Sequence, residues 1–421
     1  MHEMGGAMSG KNSKRKMNRR QVVMIEWAVL IAAAVLIAVL GIWFLASRLN
    51  ARKEAGSAQQ ASGIQKTQEA AADAAEDKAA GDDADGSAQP DSEPATEVFT
   101  ETEAAVSGPK NSWLFSFAGD CTIGSLLEWQ GSLAQDFQSV VGDNYAYPLS
   151  GVKEIFEADD LTSVNLEGTF TNSTNAVVKP YRFKADPAYV QVLKEGSVEA
   201  VSTANNHSGD FQDEGRADTI AALDSVGILH TGAGDPLIHE MEGGLKIGMV
   251  SYNTVDNYEG EYAWRSSVQT DINTCREAGC DLIIGFMHWG SVEYLTEPEA
   301  WEVQFAHDMV DWGCDLIVGG HAHILQRMEY YNNVPIFYSM GNFCYGGNTN
   351  PDDKDSVIVQ AEFARDSSSG EITLSRLHVI PCLISTRTDL NDYCPTPCQE
   401  GSEDYQRIVS RLEMPSADAQ M

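Results

Sequence analysis

The chain has 421 residues, 43% of them hydrophobic and 9% aromatic, enough to bury a large core and to exclude a small disulfide-stapled module. Its 28 Lys and Arg against 62 Asp and Glu leave a net charge of −34, which excludes a nucleic-acid binder, because such a surface repels phosphate. The imbalance is uneven: residues 1–50 carry seven basic and two acidic side chains, 51–110 five and thirteen, and 111–421 sixteen and forty-seven.

Taken in chain order, residues 1–26 form a basic tail, with Lys11, Lys14, Arg15, Lys16, Arg19 and Arg20. Trp27 to Leu45 follow without a charged or polar side chain. As a helix rising about 1.5 Å per residue, this run matches a hydrocarbon layer of ~30 Å, so 27–45 reads as a transmembrane anchor. Trp27 and Trp43 suit its two interfaces, and the preceding basic cluster keeps the N-terminus cytoplasmic. A cleaved secretory signal is the alternative, but those apolar cores run only about 7–15 residues, and no small-residue cleavage site follows Ser47-Arg48-Leu49. The expected localisation is single-pass in the cell membrane with the main domain outside.

Residues 46–110 are dominated by Ala, Glu, Asp, Ser, Gln and Gly, which cannot offset their ordering entropy by burial, so they read as a disordered acidic linker. The eight cysteines are oxidisable in an outer compartment, but their spacing assigns no bridge and lacks the C-x2-C pairs of a structural zinc site.

From Trp113 the texture changes to short apolar runs, predicting strands at 114–118, 161–165, 200–203, 245–252, 281–287, 315–318, 335–339, 357–363 and 372–379. Amphipathic stretches such as 213–226 and 298–312 fall between them. The alternation predicts an α/β domain over 111–390, with a mainly parallel central sheet and antiparallel late strands, then a C-terminal tail at 391–421.

The chemistry lies at the strand ends. Gly119-Asp120, Asn165-Leu166-Glu167, Asn205-Asn206-His207, His288-Trp289-Gly290 and Gly319-Gly320-His321-Ala322-His323 each follow an expected strand. Ligands of open α/β sheets bind outside the carboxyl ends of strands, so these groups are placed to converge. Carboxylate, amide and neutral imidazole suit Mn, Zn or Fe, and a pair of such ions can share a carboxylate, which points to a two-metal hydrolytic site. Each piece alone is also read as a turn or a helix entry. Arg182, in Lys179-Pro180-Tyr181-Arg182-Phe183, is either an anion clamp or a surface ion pair.

With Tyr338-Ser339-Met340-Gly341-Asn342-Phe343 added, the ordered set resembles the CapA capsule-synthesis family of the calcineurin-like metallophosphoesterase superfamily, over about 113–381. The resemblance implies a four-layer αββα sandwich and a link to poly-γ-glutamate synthesis or export. It implies that Asp120 and His323 bind one divalent ion, that Asn206, His288 and His321 bind a second, that Glu167 bridges them and that His207 is the acid. Asn165 and Asn342 are the further candidates for contact with substrate, beside Arg182 as the anion clamp. This chain departs from the superfamily's first motif, Asp-x-His, with Asp120-Cys121-Thr122, where Cys121 is either a soft ligand or a buried thiol; Glu167 stands where a bridging Asp is usual, and either takes that place or leaves it to Asn165.

The implied partners are the cytoplasmic membrane, capsule-synthesis membrane proteins, and a polyanionic polymer or phosphoester. Forty-seven acidic against sixteen basic side chains in 111–421 repel a polyanion over a Debye length of about 8 Å, so contact with a polymer must be local. A surface metallophosphoesterase unrelated to capsule and a non-catalytic, metal-stabilised binding protein are the alternatives.

Overall fold

The computed structural model describes residues 110–128, 130, 135–255 and 263–414. The basic tail, the anchor and nearly all of the linker lie outside the described residues. Among the described residues no helix is long and apolar enough to cross a membrane.

One sheet is built around β1 (Ser112–Thr122), which lies antiparallel to β15 (Asp355–Arg365) and parallel to β3 (Leu161–Leu166). β16 (Ile372–Leu383) and β17 (Thr396–Pro397) continue it beyond β15, β6 (Ala200–Ser202) and β7 (Leu229–Thr231) continue it beyond β3, and β14 (Asn342–Tyr345) pairs with the end of β1. The second sheet has the order β12 (Met328–Tyr331), β13 (Val334–Phe337), β11 (Leu316–Gly320), β10 (Leu282–His288), β9 (Lys246–Asn253), β8 (Leu237–Glu240). Its inner strands are parallel and its two edges antiparallel. A small third sheet joins β2 (Ser125–Leu126), β5 (Phe183–Ala185) and β4 (Thr169–Phe170).

Strand alternation decides which layers meet. On β10, Leu282, Ile284 and Phe286 enter a core shared with Phe115, Phe117 and Val359 of the first sheet. Ile283 and Met287 on the opposite face pack with Phe305 and Met309 of the helix Ala300–Trp312 and with Val268 and Ile272 of the helix Ala263–Glu277. The outer face of the first sheet, with Val164, Leu166 and Val201, packs on Val192 and Leu193 of the helix Val190–Glu195 and on Leu223 of Gln212–Val226. The layers therefore run helix, sheet, sheet, helix. These are the four layers that the resemblance implies; periodicity alone points to one mainly parallel central sheet, because strands buried on both faces carry no pattern that says which sheet they join.

A correction concerns the tail expected from 391. Up to residue 414 this stretch carries β17 and the helix Glu403–Arg411, whose Ile408 is fully buried in the inter-sheet core together with Leu412. Arg407 and Arg411 on the same helix clasp buried Asp355. The stretch is polar overall, but Ile408 and Leu412, four residues apart, give it one apolar side, a helical spacing that the reading as a tail passed over.

Candidate metal centre

The site begins with a defect in β1. Between Phe117 and Asp120 the pairing with β3 advances from Ser163 to Asn165, so β1 carries one extra residue, a bulge at Ala118-Gly119. Phe115 and Phe117 face the inter-sheet core, and simple alternation would send Asp120 to the helix side. The extra residue reverses the parity and turns Asp120 inward. Gly119 makes the bulge feasible: a Cβ there would stand 2.0 Å from the Gly341 carbonyl oxygen, which accepts the Asp120 N–H at 2.9 Å. Cys121, the alternative soft ligand, instead joins the helix-side core beside Cys344, and burial pushes its thiol up to about 12. It stays a neutral core thiol.

On β10 the parity of Ile284 and Phe286 carries His288 inward; on β11 the same side ends at Gly320, where a Cβ would lie 2.4 Å from Asp120 Oδ1. The glycine lets the two sheets close over the carboxylate, and the His321 N–H donates to Asp120 Oδ2 at 3.0 Å. His321 (φ 87°) and His323 (φ 57°) both sit in the left-handed region, a backbone strain of about 1–3 kcal/mol each that concentrates at functional sites.

Around Asp120 a polar chain closes. Asn165 Nδ2 donates to Asp120 Oδ1 at 2.7 Å and lies 3.2 Å from His288 Nδ1; Asn205 Nδ2 donates to Asn165 Oδ1 at 3.0 Å. His288 Nε2 is 2.9 Å from Asn206 Oδ1, and His323 Nδ1 is 2.9 Å from Asn342 Oδ1. The rings of His288 and His321 meet edge to face with centroids 5.0 Å apart.

At the centre is Glu167, fully buried, with neither carboxylate oxygen accepting a hydrogen bond. Its Oε1 instead faces three imidazole Nε2 atoms: His288 at 3.4 Å, His323 at 3.9 Å and His207 at 4.0 Å. Burial opposes its charge, yet these imidazoles together hold it well below the usual carboxylate range. Burial, and the charge of Glu167, raise Asp120. His321 is pushed down to about 3 by burial and by the neighbouring His288 and His323, and its Nδ1 is buried without a partner. Burial disfavours a charge on His323, but Glu167, Asp120 and Glu293 outweigh it and raise that imidazole.

A buried carboxylate and a buried imidazole nitrogen without hydrogen bonds are costly groups in a dry interior, and a divalent cation is the partner their chemistry fits. Asp120, Glu167 and His323 each offer a ligand atom, and these atoms lie within 4.8 Å of one another, a set able to hold a metal ion.

Of the residues read from the sequence, Asp120, Asn165, Glu167, Asn206, His207, His288, His321, His323 and Asn342 are brought together. Arg182 forms an ion pair with Glu128, and its Nη1 donates to the Val177 carbonyl at 3.4 Å. Two residues at the site were missed. Asp210, fully buried, takes His207 Nδ1 at 2.9 Å and the Phe183 N–H at 2.7 Å. Lys179 lies 2.5 Å from the other Asp210 oxygen and donates to the Asn206 carbonyl at 2.6 Å. The spacing His-x-x-Asp was a readable signal for Asp210; nothing local marked Lys179.

The family model described as "Bacterial capsule synthesis protein PGA_cap" matches residues 114–346, which takes in every residue of this cluster. The chain belongs to that family. It is 27% identical over 279 residues to the PGA biosynthesis protein CapA of Bacillus subtilis, covering 62% of this chain and 70% of that protein. It is 28% identical over 221 residues to the capsule biosynthesis protein CapA of Bacillus anthracis, covering 48% of this chain and 53% of that one. Among solved structures, the calcineurin-like phosphoesterase YfkN of Bacillus subtilis aligns at a TM-score of 0.41 and 12% identity, over 72% of this chain and 97% of that one.

Proposed function

We propose that this protein is an extracytoplasmic component of capsule-polymer synthesis or export, anchored through residues 27–45, whose domain holds two divalent ions of the Mn, Zn or Fe class in a hydrolase-type site. The observation that carries the metal reading is Glu167: a carboxylate sealed from water, accepting no hydrogen bond and ringed by imidazoles. Family membership and the names of the Bacillus relatives support the capsule role. The apolar run 27–45 supports the anchor.

Asp120 and His323 would hold one ion, Asn206, His288 and His321 the other, with Glu167 shared. Such ions supply Lewis acidity toward a phosphorus or carbonyl centre and lower the pKa of water. The chain's own contribution is proton traffic and exclusion of solvent. Asp210 takes the Nδ1 side of His207, so Nε2 is the nitrogen facing the cluster and the one that hands a proton to the leaving group. Lys179 balances the Asp210 charge, so the His207–Asp210 pair adds no net negative field at the centre. The departure at Asp120-Cys121-Thr122, with Cys121 turned into the core, favours a second reading, a metal-stabilised binding domain without turnover.

Elemental analysis of the full-length protein, joined to a panel of phosphoester and γ-glutamyl substrates, tests both. The first reading expects at least one ion per chain and metal-dependent hydrolysis that His207→Ala abolishes while metal is retained. Ions without turnover on any substrate select the second reading. Less than one ion per chain, or metal loss in His207→Ala, rejects the metal site as assigned. Extraction of membranes with alkaline carbonate tests the anchor, which expects the protein to stay in the pellet.

A further inference from the structure

A cavity of about 650 Å³ opens beside the buried cluster, with Asn205 and Asn206 in the wall they share. That is far more room than a bare phosphate needs and is of the size that holds the body of a ligand. Among the described residues lining it, the charged side chains are Lys179 and Arg216, and no Asp or Glu takes part. Residues 111–421 carry forty-seven acidic and sixteen basic side chains, so this is a local reversal of sign in a strongly acidic domain. Lys179 is offset by the buried Asp210 behind it, so the field of the wall comes chiefly from Arg216, whose counter-charge Asp213 is fully exposed, and a concave site focuses that field toward an anion.

Both cations retain donors. Lys179 stands 2.5 Å from Asp210 Oδ1 as an ion pair and donates one N–H to the Asn206 carbonyl, which leaves donors of its ammonium group for a ligand. Arg216 pairs with Asp213 at 3.2 Å, but the Asp213 side chain is wholly exposed and that of Arg216 is 55% exposed, an ion pair of little worth that a ligand can replace. The guanidinium packs against Gly209, where a Cβ would stand 2.4 Å from Arg216 Nη2. Thr203 and Ser208 add hydroxyl groups to the lining.

We infer that this cavity is an anion subsite, taking a carboxylate or phosphate on the part of the ligand next to the reacting group. Arg216 grips the anion through paired N–H donors, and Lys179 adds a third. The orientation of the ligand rests on reading the buried cluster as the reacting centre. Capture of the anion does not, since it needs only the cavity and its two cations.

The test is calorimetric titration of the full-length protein, stripped of metal with a chelator, using inorganic phosphate and, separately, γ-glutamylglutamate. Saturable binding that weakens as salt rises is expected from the wild type. Arg216→Ala should weaken it on the order of 10-fold, Arg216→Lys less, and Arg216→Glu should abolish it with the thermal midpoint unchanged. Lys179→Met serves as the second variant and should also weaken binding. Tighter binding of phosphate assigns the subsite to a phosphoester ligand, and tighter binding of the dipeptide assigns it to a γ-carboxylate ligand. Unchanged affinity in Arg216→Glu, or no saturable binding of either anion by the wild type, overturns the inference. His288→Ala, compared with the wild type as purified and without chelator, separates it from the metal reading, because that variant should lose metal and keep the anion.

Discussion

Two buried carboxylates in this domain are treated in opposite ways. Asp355, 5% exposed, is clasped by Arg407 through Nη2 at 2.6 Å and Nε at 3.0 Å, and by Arg411 at 2.8 Å, and these guanidiniums hold it below its ordinary range against the cost of burial. Glu167, more deeply buried, is left without a hydrogen bond among imidazoles that themselves lack fixed charge. The first pairing seals a helix to a sheet with permanent cations. The second leaves a place for a cation from outside, and the strained backbone of His321 and His323 beside it is a cost that the scaffold bears elsewhere.

The contrast breaks most visibly at Glu167. Glu167→Gln is expected to lower metal content and any turnover by at least ~10²-fold, the scale of removing a charge-stabilising group from a reacting centre, while the metal-free protein melts no lower than wild type. A lower melting point in metal-free Glu167→Gln would mean that the carboxylate serves the fold, as Asp355 does.

Next in size is Asp210→Asn. As a positioning residue for His207, Asp210 should affect turnover on the order of 10²-fold and shift the pH–rate profile, with metal content retained. A uniform loss of folded protein with an unshifted profile would make it structural only.

Asp355→Asn should act on stability alone, lowering it by roughly 1–3 kcal/mol in urea melts with metal binding untouched, because it strands two partly exposed arginines. Since the folded pKa of Asp355 lies below 3.8, its contribution is present above that value and is lost as pH falls through the folded pKa.

The smallest effect is a change of slope at Glu302. Its carboxyl, pushed up to about 7 by burial and by the charge of Glu299, accepts the Glu299 N–H at 2.5 Å. Between about 4.5 and about 7 the folded state holds a proton that the unfolded state has released, so its contribution is full below that window and fades as pH rises through it. Glu302→Gln keeps the acceptor and should flatten that part of the stability–pH curve.

Much of the site was legible because the donors sit at the ends of hydrophobic runs, and a run that stops at Asp120, at Asn165-Leu166-Glu167 or at His288 marks both a strand and its exit. The short strands β2, β4 and β5 were not legible, since two or three residues have no periodicity; yet β5 directly follows Arg182, whose partner proved to be Glu128. Lys179 was equally silent, because its role depends on Asp210 and on the Asn206 carbonyl, groups about thirty residues away.

By itself, the order of residues determined the chemical inventory: carboxylate, amide and imidazole at five strand exits, an apolar run ahead of the domain, and an acidic surface. Only the tertiary structure decided that the core is shared by two sheets, that a bulge at Gly119 turns Asp120 inward, and that Gly320 admits its carboxylate. The physical reason is that side-chain type is a local property, whereas which face a side chain takes and which group meets it depend on register and on close approach between distant strands.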